Sequence, residues 1–264
     1  MSSDHLSFIT PDYSAVKFDD IKSSNDGDVC IAYITNELIK DTVDPICIDV
    51  GADIAAWTLL CKHINPRSIL YTFEPNPISF EAIKKYESNT IILFNKGVSD
   101  ISGSFYMEFN GSNSSMRTNT GSLIETTRLD FIFDIHNIVN LIKIDTEGHD
   151  IVILNSLDAY YSRINSIIFE FTVYWYGKTD RECLITSLGI LMKLYKSYKY
   201  MYIVSRNHKP RVVRLDDTDI FMTVIKFLYI NHLQVDIIVT NFEIKNITIC
   251  NVDEMIMNAN SVLF

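Results

Sequence analysis

The sequence lacks three features that would each indicate a particular class of protein. Its five cysteines are scattered without paired short spacings, and no Cys/His cluster suggests a zinc or other metal site. The longest apolar stretch, residues 220–240, is interrupted by charged and polar side chains, so it does not predict a membrane span. The first 17 residues lack the apolar core of a signal peptide. We therefore expect a soluble, cytoplasmic protein that does not interact with membranes.

Basic side chains are also scarce. The chain has 23 Lys and Arg against 33 Asp and Glu, which gives a formal net charge of -10. Because nucleic-acid binding generally depends on a basic face, a nucleic-acid substrate is disfavoured, although a local basic patch would still allow one. The one basic run comprises Arg206, His208, Lys209, Arg211 and Arg214. It is interpreted as a solvated hairpin or, alternatively, as a binding site for a phosphorylated acceptor.

Length and composition indicate an ordinary globular chain. It has 264 residues, of which 47% are hydrophobic and 21% charged. Neither an internal repeat nor a low-complexity tract is visible. We expect one α/β domain over residues 1–264, with an irregular lead-in at residues 1–26. The sequence does not indicate an oligomeric state.

Short apolar runs alternate with helical patterns along most of the chain. The strands are predicted at residues 45–51, 68–74, 90–94, 140–145 and 166–172, and the helices at residues 27–40, 55–63, 78–86, 150–161 and 181–195. Strands that alternate with helices imply parallel strands joined by crossovers. The sequence therefore predicts a doubly wound, mostly parallel α/β sheet.

Two parts of the chain depart from this alternation. Strands predicted at residues 104–109 and 123–127 flank a stretch rich in Gly, Ser and Asn, residues 110–121, which is predicted to be a mobile loop. The C-terminal part, including residues 199–204 and 220–227, is predicted to be strand-rich. An antiparallel hairpin at one edge of the sheet would accommodate it.

Acidic residues lie at the ends of three predicted strands: Asp49, Glu74 and Asp145. Open α/β sheets bind ligands outside the carboxyl ends of their strands. A glycine after the first strand, Gly51, lets the backbone approach a ligand closely. Glu74 follows Asp49 at roughly the spacing of an acid that binds ribose hydroxyls. A lone glycine is usually only a turn and a lone acid a helix cap, so the ordered combination carries the interpretation.

The sequence contains no G-x-G-x-x-G motif. The cofactor therefore need not contain a pyrophosphate, and a nucleoside with a charged amino-acid tail fits better. A nicotinamide-dependent oxidoreductase is for this reason the weakest of the alternatives.

Over residues 45–172 the chain resembles the FkbM-type methyltransferases. The matching elements are Asp49-Val50-Gly51-Ala52, Phe73-Glu74-Pro75-Asn76-Pro77, Gly97-Val98-Ser99-Asp100, Ser114-Ser115, Thr127-Arg128-Leu129-Asp130 and Lys143-Ile144-Asp145-Thr146-Glu147-Gly148-His149-Asp150. Each element is common by itself, but their order and spacing are specific. The resemblance implies a Rossmann-like class I methyltransferase fold and S-adenosylmethionine as the cofactor.

The resemblance also implies roles for individual residues. The expected cofactor-binding residues are Asp49, Gly51, Ala52, Asp53, Glu74, Asn76, Ser99 and Asp100. The first three would hold the methionine part, Glu74 the ribose, and Ser99 and Asp100 the adenine. Asp145 and Glu147 would be catalytic, facing the sulfonium and the acceptor hydroxyl.

Further residues near these positions are candidates for the acceptor site. If the chain stays extended after Asp145, then Glu147 and His149 point to the same side as Asp145, although His149 is expected at the surface. Glu170 ends an apolar strand and needs a partner or a role in the cleft, because a buried acid is costly. The aromatic residues 174–176 would form a wall for the acceptor or simply a packed cluster.

Three functions follow from these observations. The leading one is methylation of a hydroxyl on a sugar, a glycan or another small metabolite. The second is methylation of a nucleic acid, such as an RNA ribose. The third is a catalytically impaired domain for cofactor binding or interaction, because Asp53 and Ala55 stand where the family has Asn and Gly. An added methyl group at residue 55 is expected to crowd the cofactor.

Overall fold

The computed structural model describes residues 27–110, 113–117, 121–172, 180–205, 212–231, 233–245, 247–251 and 253. The predicted lead-in, the aromatic residues 174–176 and the basic run up to residue 211 lie outside the described residues.

Seven helices and twelve strands occur within the described part of the chain. The helices are α1 (Gly27–Ile39), α2 (Ala56–Ile64), α3 (Pro77–Ile83), α4 (Asp130–Ile135), α5 (Asp150–Ser156), α6 (Asp180–Ser197) and α7 (Thr218–Asn231). The strands are β1 (Ile46–Val50), β2 (Ile69–Phe73), β3 (Ile91–Phe94), β4 (Gly97–Val98), β5 (Gly103–Asn110), β6 (Asn113–Arg117), β7 (Ser122–Thr127), β8 (Leu141–Ile144), β9 (Ser166–Thr172), β10 (Tyr200–Ser205), β11 (Val212–Arg214) and β12 (Gln234–Thr240). Two 3-10 segments, Lys84–Tyr86 and Asp158–Arg163, extend α3 and α5.

The main sheet has eight strands in the order β11-β10-β12-β9-β8-β1-β2-β3. Strands β9, β8, β1, β2 and β3 pair in parallel. The chain runs outward from β1 to β3 and then returns to the other side of β1 with β8. This reversal between β1 and β8 is the topological switch point at which such sheets bind ligands. The predicted doubly wound, mostly parallel α/β fold is confirmed.

The antiparallel strands lie at one end of the main sheet. Strand β12 pairs antiparallel with β9 and β10, and β10 forms the edge hairpin with β11. The predicted antiparallel edge is thus confirmed, but the strand predicted at residues 220–227 is wrong. These residues belong to helix α7, whose buried side chains Phe221, Val224, Ile225 and Leu228 follow helical spacing.

A second, four-stranded sheet has the order β4-β7-β5-β6. Strand β6 lies inside residues 110–121, so the prediction of a loop is wrong for Asn113–Arg117. The antiparallel pairing of β6 with β5 satisfies the backbone hydrogen bonds, and a ladder of this kind does not require an apolar sequence.

Helices cover both faces of the main sheet. On one face, α1 and α2 bury residues such as Ile34 and Leu60 against Cys47 and Leu70 of the strands. On the other face, α4 to α7 form the larger core with the inward side chains of β1, β8, β9 and β12. Within the described residues, every helix is too short or too polar to cross a membrane.

A close approach between the ends of β1 and β8 fixes the switch point. On the side of β2, the N–H groups of Gly51 and Ala52 both donate to the carbonyl oxygen of Phe73, the last residue of β2, at 3.0 and 3.1 Å. On the side of β8, Gly51 approaches the backbone of Asp145. Gly51 has a φ of 80°, and a Cβ at this position would lie 1.9 Å from the backbone oxygen of Asp145. The glycine is therefore required by chain packing as well as by any ligand.

We expect Gly51→Ala to lower the free energy of unfolding by at least about 2 kcal/mol, because the methyl group meets a backbone atom and the left-handed backbone disfavours alanine. Urea denaturation measures the change. The matched control is Gly189→Ala in α6, where an added Cβ meets no atom within 4 Å. That variant should be more stable by about 0.5–1 kcal/mol through helix propensity. Equal stabilities for the two variants would contradict this account.

Candidate functional site

A cavity of about 400 Å³ opens at the carboxyl ends of β1 and β8, between the sheet and helices α1 and α2. Its size is within the range of small-molecule sites. The helices contribute apolar side chains such as Ile31, Trp57 and Leu60. The charged side chains in its walls are Asp49, Asp53, Lys143, Asp145 and Asp236.

Asp49 is a buried acid with one oxygen left for a ligand. Its Oδ2 accepts hydrogen bonds from the N–H group and the hydroxyl of Thr58, at 3.1 and 2.6 Å. Its Oδ1 has no hydrogen-bond partner among the described residues. Burial raises the pKa of Asp49, while the charge of Lys143 and the bonds from Thr58 oppose that rise. A buried acceptor without a partner on a cavity wall suits a ligand donor such as an ammonium group.

Lys143 provides positive charge within this acidic region. Its Nζ lies 2.9 Å from Oδ2 of Asp145, and its side chain is 16% exposed. Burial alone would lower the pKa of Lys143, but the negative charges of Asp145, Asp49 and Asp236 raise it above its usual value. The ammonium group therefore stays protonated and keeps Asp145 in an ion pair.

Glu74 lies beside the cavity and is connected to it through Asp53. Its Oε2 accepts from the N–H of Asp53 and its Oε1 from the N–H of Asn76, both at 2.7 Å. Burial raises the pKa of Glu74 to about 7. Each oxygen keeps a lone pair for a further donor, as two ribose hydroxyls would require. The side chain of Asn76 caps helix α3 by accepting from the N–H of Ile78 at 3.0 Å.

Ser99 and Asp100 form a separate group at the end of β4. The hydroxyl oxygen of Ser99 lies 3.0 Å from Oδ1 of Asp100 and 3.0 Å from Nε2 of His149. His149 is half-buried, and burial lowers its pKa. His149 connects the loop after β8 with the loop after β4.

The chain does not stay extended after Asp145. Glu147 has a φ of 53° and Gly148 a φ of 103°, so the backbone turns between Asp145 and His149. As a result, the ring of His149 contacts Ser99, whereas the carboxylates of Asp145 and Glu147 lie next to each other.

Glu170 joins the two predicted catalytic acids. Carboxylate oxygens of Asp145, Glu147 and Glu170 all lie within 4.8 Å of one another. These carboxylate oxygens lie close enough to one another to hold a metal ion together, whereas no metal site was predicted from the sequence. Gln234 donates from Nε2 to Oε1 of Glu170, which supplies the partner that its burial requires.

The two departures from the family pattern affect the backbone between β1 and α2. Ala55 has a φ of 60° and is fully buried in the hydrophobic core, outside the walls of the cavity. The left-handed backbone at Ala55 costs about 1–2 kcal/mol in strain. The crowding of the cofactor by the methyl group of Ala55 stays a prediction. Asp53 has a φ of 45°, which aspartate tolerates better than most residues.

The sequence-predicted residues thus fall into three groups. Asp49, Gly51, Ala52, Asp53 and Asp145 line the cavity, Glu74 and Asn76 adjoin it, and Ser99 and Asp100 lie with His149. Asp236 was not predicted as a site residue, and Lys143 was noted only as part of a motif. Asp236 could have been recognised as an acidic residue within an otherwise apolar run.

Residues 49–202 match the methyltransferase FkbM domain, which covers more than half of the chain. The chain belongs to the FkbM methyltransferase family. Methyltransferases of this family use S-adenosylmethionine, which is accordingly the cofactor of this chain. The match extends further toward the C-terminus than the resemblance visible at residues 45–172.

A curated relative is the hexuronic acid methyltransferase AglP of Haloferax volcanii, which is 26% identical over 136 residues. The alignment covers 48% of this chain and 56% of the relative, so the chain spans only about half the length of that protein.

Similar solved structures include the precorrin-6y C5,15-methyltransferase of Geobacter metallireducens, with a TM-score of 0.41 and 12% identity over 80% of this chain and 86% of that one. Another is the plantazolicin methyltransferase BpumL in complex with SAH, with a TM-score of 0.41 and 10% identity over 80% of this chain and 84% of that one.

The described residues fit S-adenosylmethionine. The cavity lies at the switch point, the Oδ1 atom of Asp49 has no partner among the described residues, and Glu74 follows at the end of the neighbouring strand. Asp49 offers an acceptor for the ammonium group of the methionine part, and Glu74 offers two for the ribose hydroxyls.

Asp150 is a buried acid behind the cluster of Asp145, Glu147 and Glu170. Its Oδ2 accepts from the hydroxyl of Thr146 at 3.0 Å and from the N–H of Gly148 at 3.3 Å. Its Oδ1 has no hydrogen-bond partner among the described residues. Burial and the charges of Asp145 and Glu170 raise the pKa of Asp150 to about 7. Its ionisation therefore destabilises the folded protein as the pH rises from about 4 toward 7.

We expect Asp150→Asn to stabilise the protein at pH 8, because the amide oxygen keeps both hydrogen bonds and no charge is buried. The stability difference between the variant and the wild type should grow by about 2 kcal/mol between pH 5 and pH 8. Urea denaturation at the two pH values measures it. A difference that is the same at both pH values would show that Asp150 does not titrate in this range.

Proposed function

We propose that this methyltransferase transfers the methyl group of S-adenosylmethionine to a hydroxyl of a sugar, a glycan or another small metabolite. The observation that carries the proposal is the position of Asp145, Glu147 and Glu170, whose carboxylates cluster beside the cofactor cavity. Transfer to an oxygen requires a proton acceptor close to the hydroxyl, and carboxylates can serve as one.

S-adenosylmethionine would be held by residues at the carboxyl ends of β1 and β2. Asp49, Gly51 and Ala52 hold the methionine part, and Asp53 lines the same cavity. Glu74 accepts the ribose hydroxyls, and the loop of Ser99 and Asp100 borders the adenine. Asn76 contributes through its backbone N–H, which orients Glu74, because its side-chain oxygen caps helix α3.

The bound cofactor supplies an electrophilic methyl group on a sulfonium, and the residues of the chain orient the acceptor and receive its proton. Asp145 is held in an ion pair with Lys143, so protonation of Asp145 would break that pair. We assign the role of proton acceptor to Glu147, which has a carboxylate oxygen within 4.8 Å of one of Asp145. Asp145 would stay charged and face the sulfonium. Alignment of the two reacting centres supplies a large part of the rate enhancement, which is of the order of 7–11 kcal/mol in favourable cases.

A sugar is favoured as the acceptor because the relative AglP is a hexuronic acid methyltransferase. Glycan methylation also agrees with the net charge of -10, which disfavours polyanionic nucleic acids. We propose that residues 1–264 form one methyltransferase domain. Within the basic run, Arg214 is ion-paired with Asp216 and Glu243.

Asp49→Asn tests the cofactor site. The amide oxygen can keep the bonds from Thr58, whereas the charge opposite the ligand ammonium is lost. We expect calorimetric titration to show a ~10–100-fold weaker affinity for S-adenosylmethionine. The control is Asp44→Asn, which removes an exposed acid paired with Arg67 and should leave the affinity unchanged. Binding unaffected by Asp49→Asn would place the cofactor elsewhere.

Glu147→Gln tests the catalytic assignment. Methyl transfer from labelled S-adenosylmethionine is first screened against a panel of neutral sugars, amino sugars and hexuronic acids. With the best acceptor, we expect the variant to lower kcat by ~10²–10⁴-fold and leave cofactor affinity unchanged. The exposed Glu125→Gln serves as the control. A wild-type kcat in Glu147→Gln would transfer the role of proton acceptor to another group.

A further inference from the structure

Asp236 reaches the cofactor cavity from a strand outside the region that matches the family. It lies on β12, opposite Glu170 of β9 in the antiparallel register. Asp236 is 3% exposed, and it lines the cavity together with Asp49 and Asp145. Residue 236 follows the end of the family match at residue 202. None of the family motifs therefore assigns it a role.

The walls of this cavity carry excess negative charge. Among the described residues that line it, Asp49, Asp53, Asp145 and Asp236 are acidic, and Lys143 is basic. Lys143 lies 2.9 Å from Asp145 and also feels the charges of Asp49 and Asp236, so one positive charge faces four acids. The burial of Asp49 and Asp236 limits the screening of their charges by water and salt. The cavity therefore favours a ligand with positive charge.

The two forms of the cofactor differ in this property. S-adenosylmethionine carries a sulfonium, an ammonium and a carboxylate, so its net charge is positive. Transfer of the methyl group breaks the sulfur–carbon bond and leaves its electron pair on sulfur. The product, S-adenosylhomocysteine, has a neutral sulfur and no net charge. Groups that are equally charged in both ligands cannot discriminate between them, but carboxylates near the sulfur can.

We propose that Asp236 is a cofactor-discriminating residue, which, together with Asp145, makes the cavity bind S-adenosylmethionine more tightly than S-adenosylhomocysteine. Loss of the positive charge during the reaction then weakens the binding of the product and favours its release. The inference rests on the proposed placement of the cofactor in this cavity.

The test is calorimetric titration of both ligands into the wild type and Asp236→Asn at the same pH and ionic strength. In the wild type we expect S-adenosylmethionine to bind at least ~10-fold more tightly than S-adenosylhomocysteine. In Asp236→Asn the ratio of the two affinities should fall by ~3–10-fold, while the affinity for S-adenosylhomocysteine should change by less than about twofold. Asp236→Glu, which keeps the charge, should preserve most of the ratio.

The control is Asp134→Asn, which removes the same charge from an exposed position on α4 and should leave the ratio unchanged. An equal loss of affinity for both ligands in Asp236→Asn would indicate only a structural role and overturn the proposal. So would equal affinities of the wild type for the two ligands, a result that does not depend on the folding of any variant. If neither ligand binds the folded wild type, the proposed function itself fails, which is a distinguishable outcome.

Discussion

The ion pair between Lys143 and Asp145 is the interaction on which the acidic edge of the sheet depends. Asp49 and Asp236 approach the same lysine from strands on either side of β8, so one ammonium group compensates several carboxylates. Without that charge, the buried acids would face a larger desolvation cost or take up protons. The pair thus lets this site keep negative charge for a cationic ligand inside a folded protein.

The backbone contributes a second constraint at the same place. The turn after β1 and the turn after β8 approach so closely that only glycine fits at position 51. This contact brings the acids of the two strand ends into one cavity. The turn at Glu147 and Gly148 then separates the proposed catalytic acids, Asp145 and Glu147, from His149, which contacts Ser99.

Much of this arrangement could be predicted because its signals are local. The parallel strands were predicted from short apolar runs. Because Asp49, Glu74 and Asp145 follow at the ends of those runs, their positions at the strand ends could also be predicted. Helix α7 was mistaken for a strand because an apolar segment with several β-branched residues satisfies both patterns. The positions of His149 and Asp236 depend on a turn and on a strand pairing between distant segments, neither of which has a local signal.

The antiparallel strand β12 has a consequence for where this protein can be divided. It lies between β9 and β10, so it is the only described strand that joins the edge hairpin to the parallel part of the sheet. A boundary at residue 202 would cut through β10 and leave the fully buried strand β9 as an exposed apolar edge, which is prone to aggregation. The eight-stranded sheet therefore extends beyond the family match, and β12, an internal strand of that sheet, contributes Asp236 to the wall of the cavity.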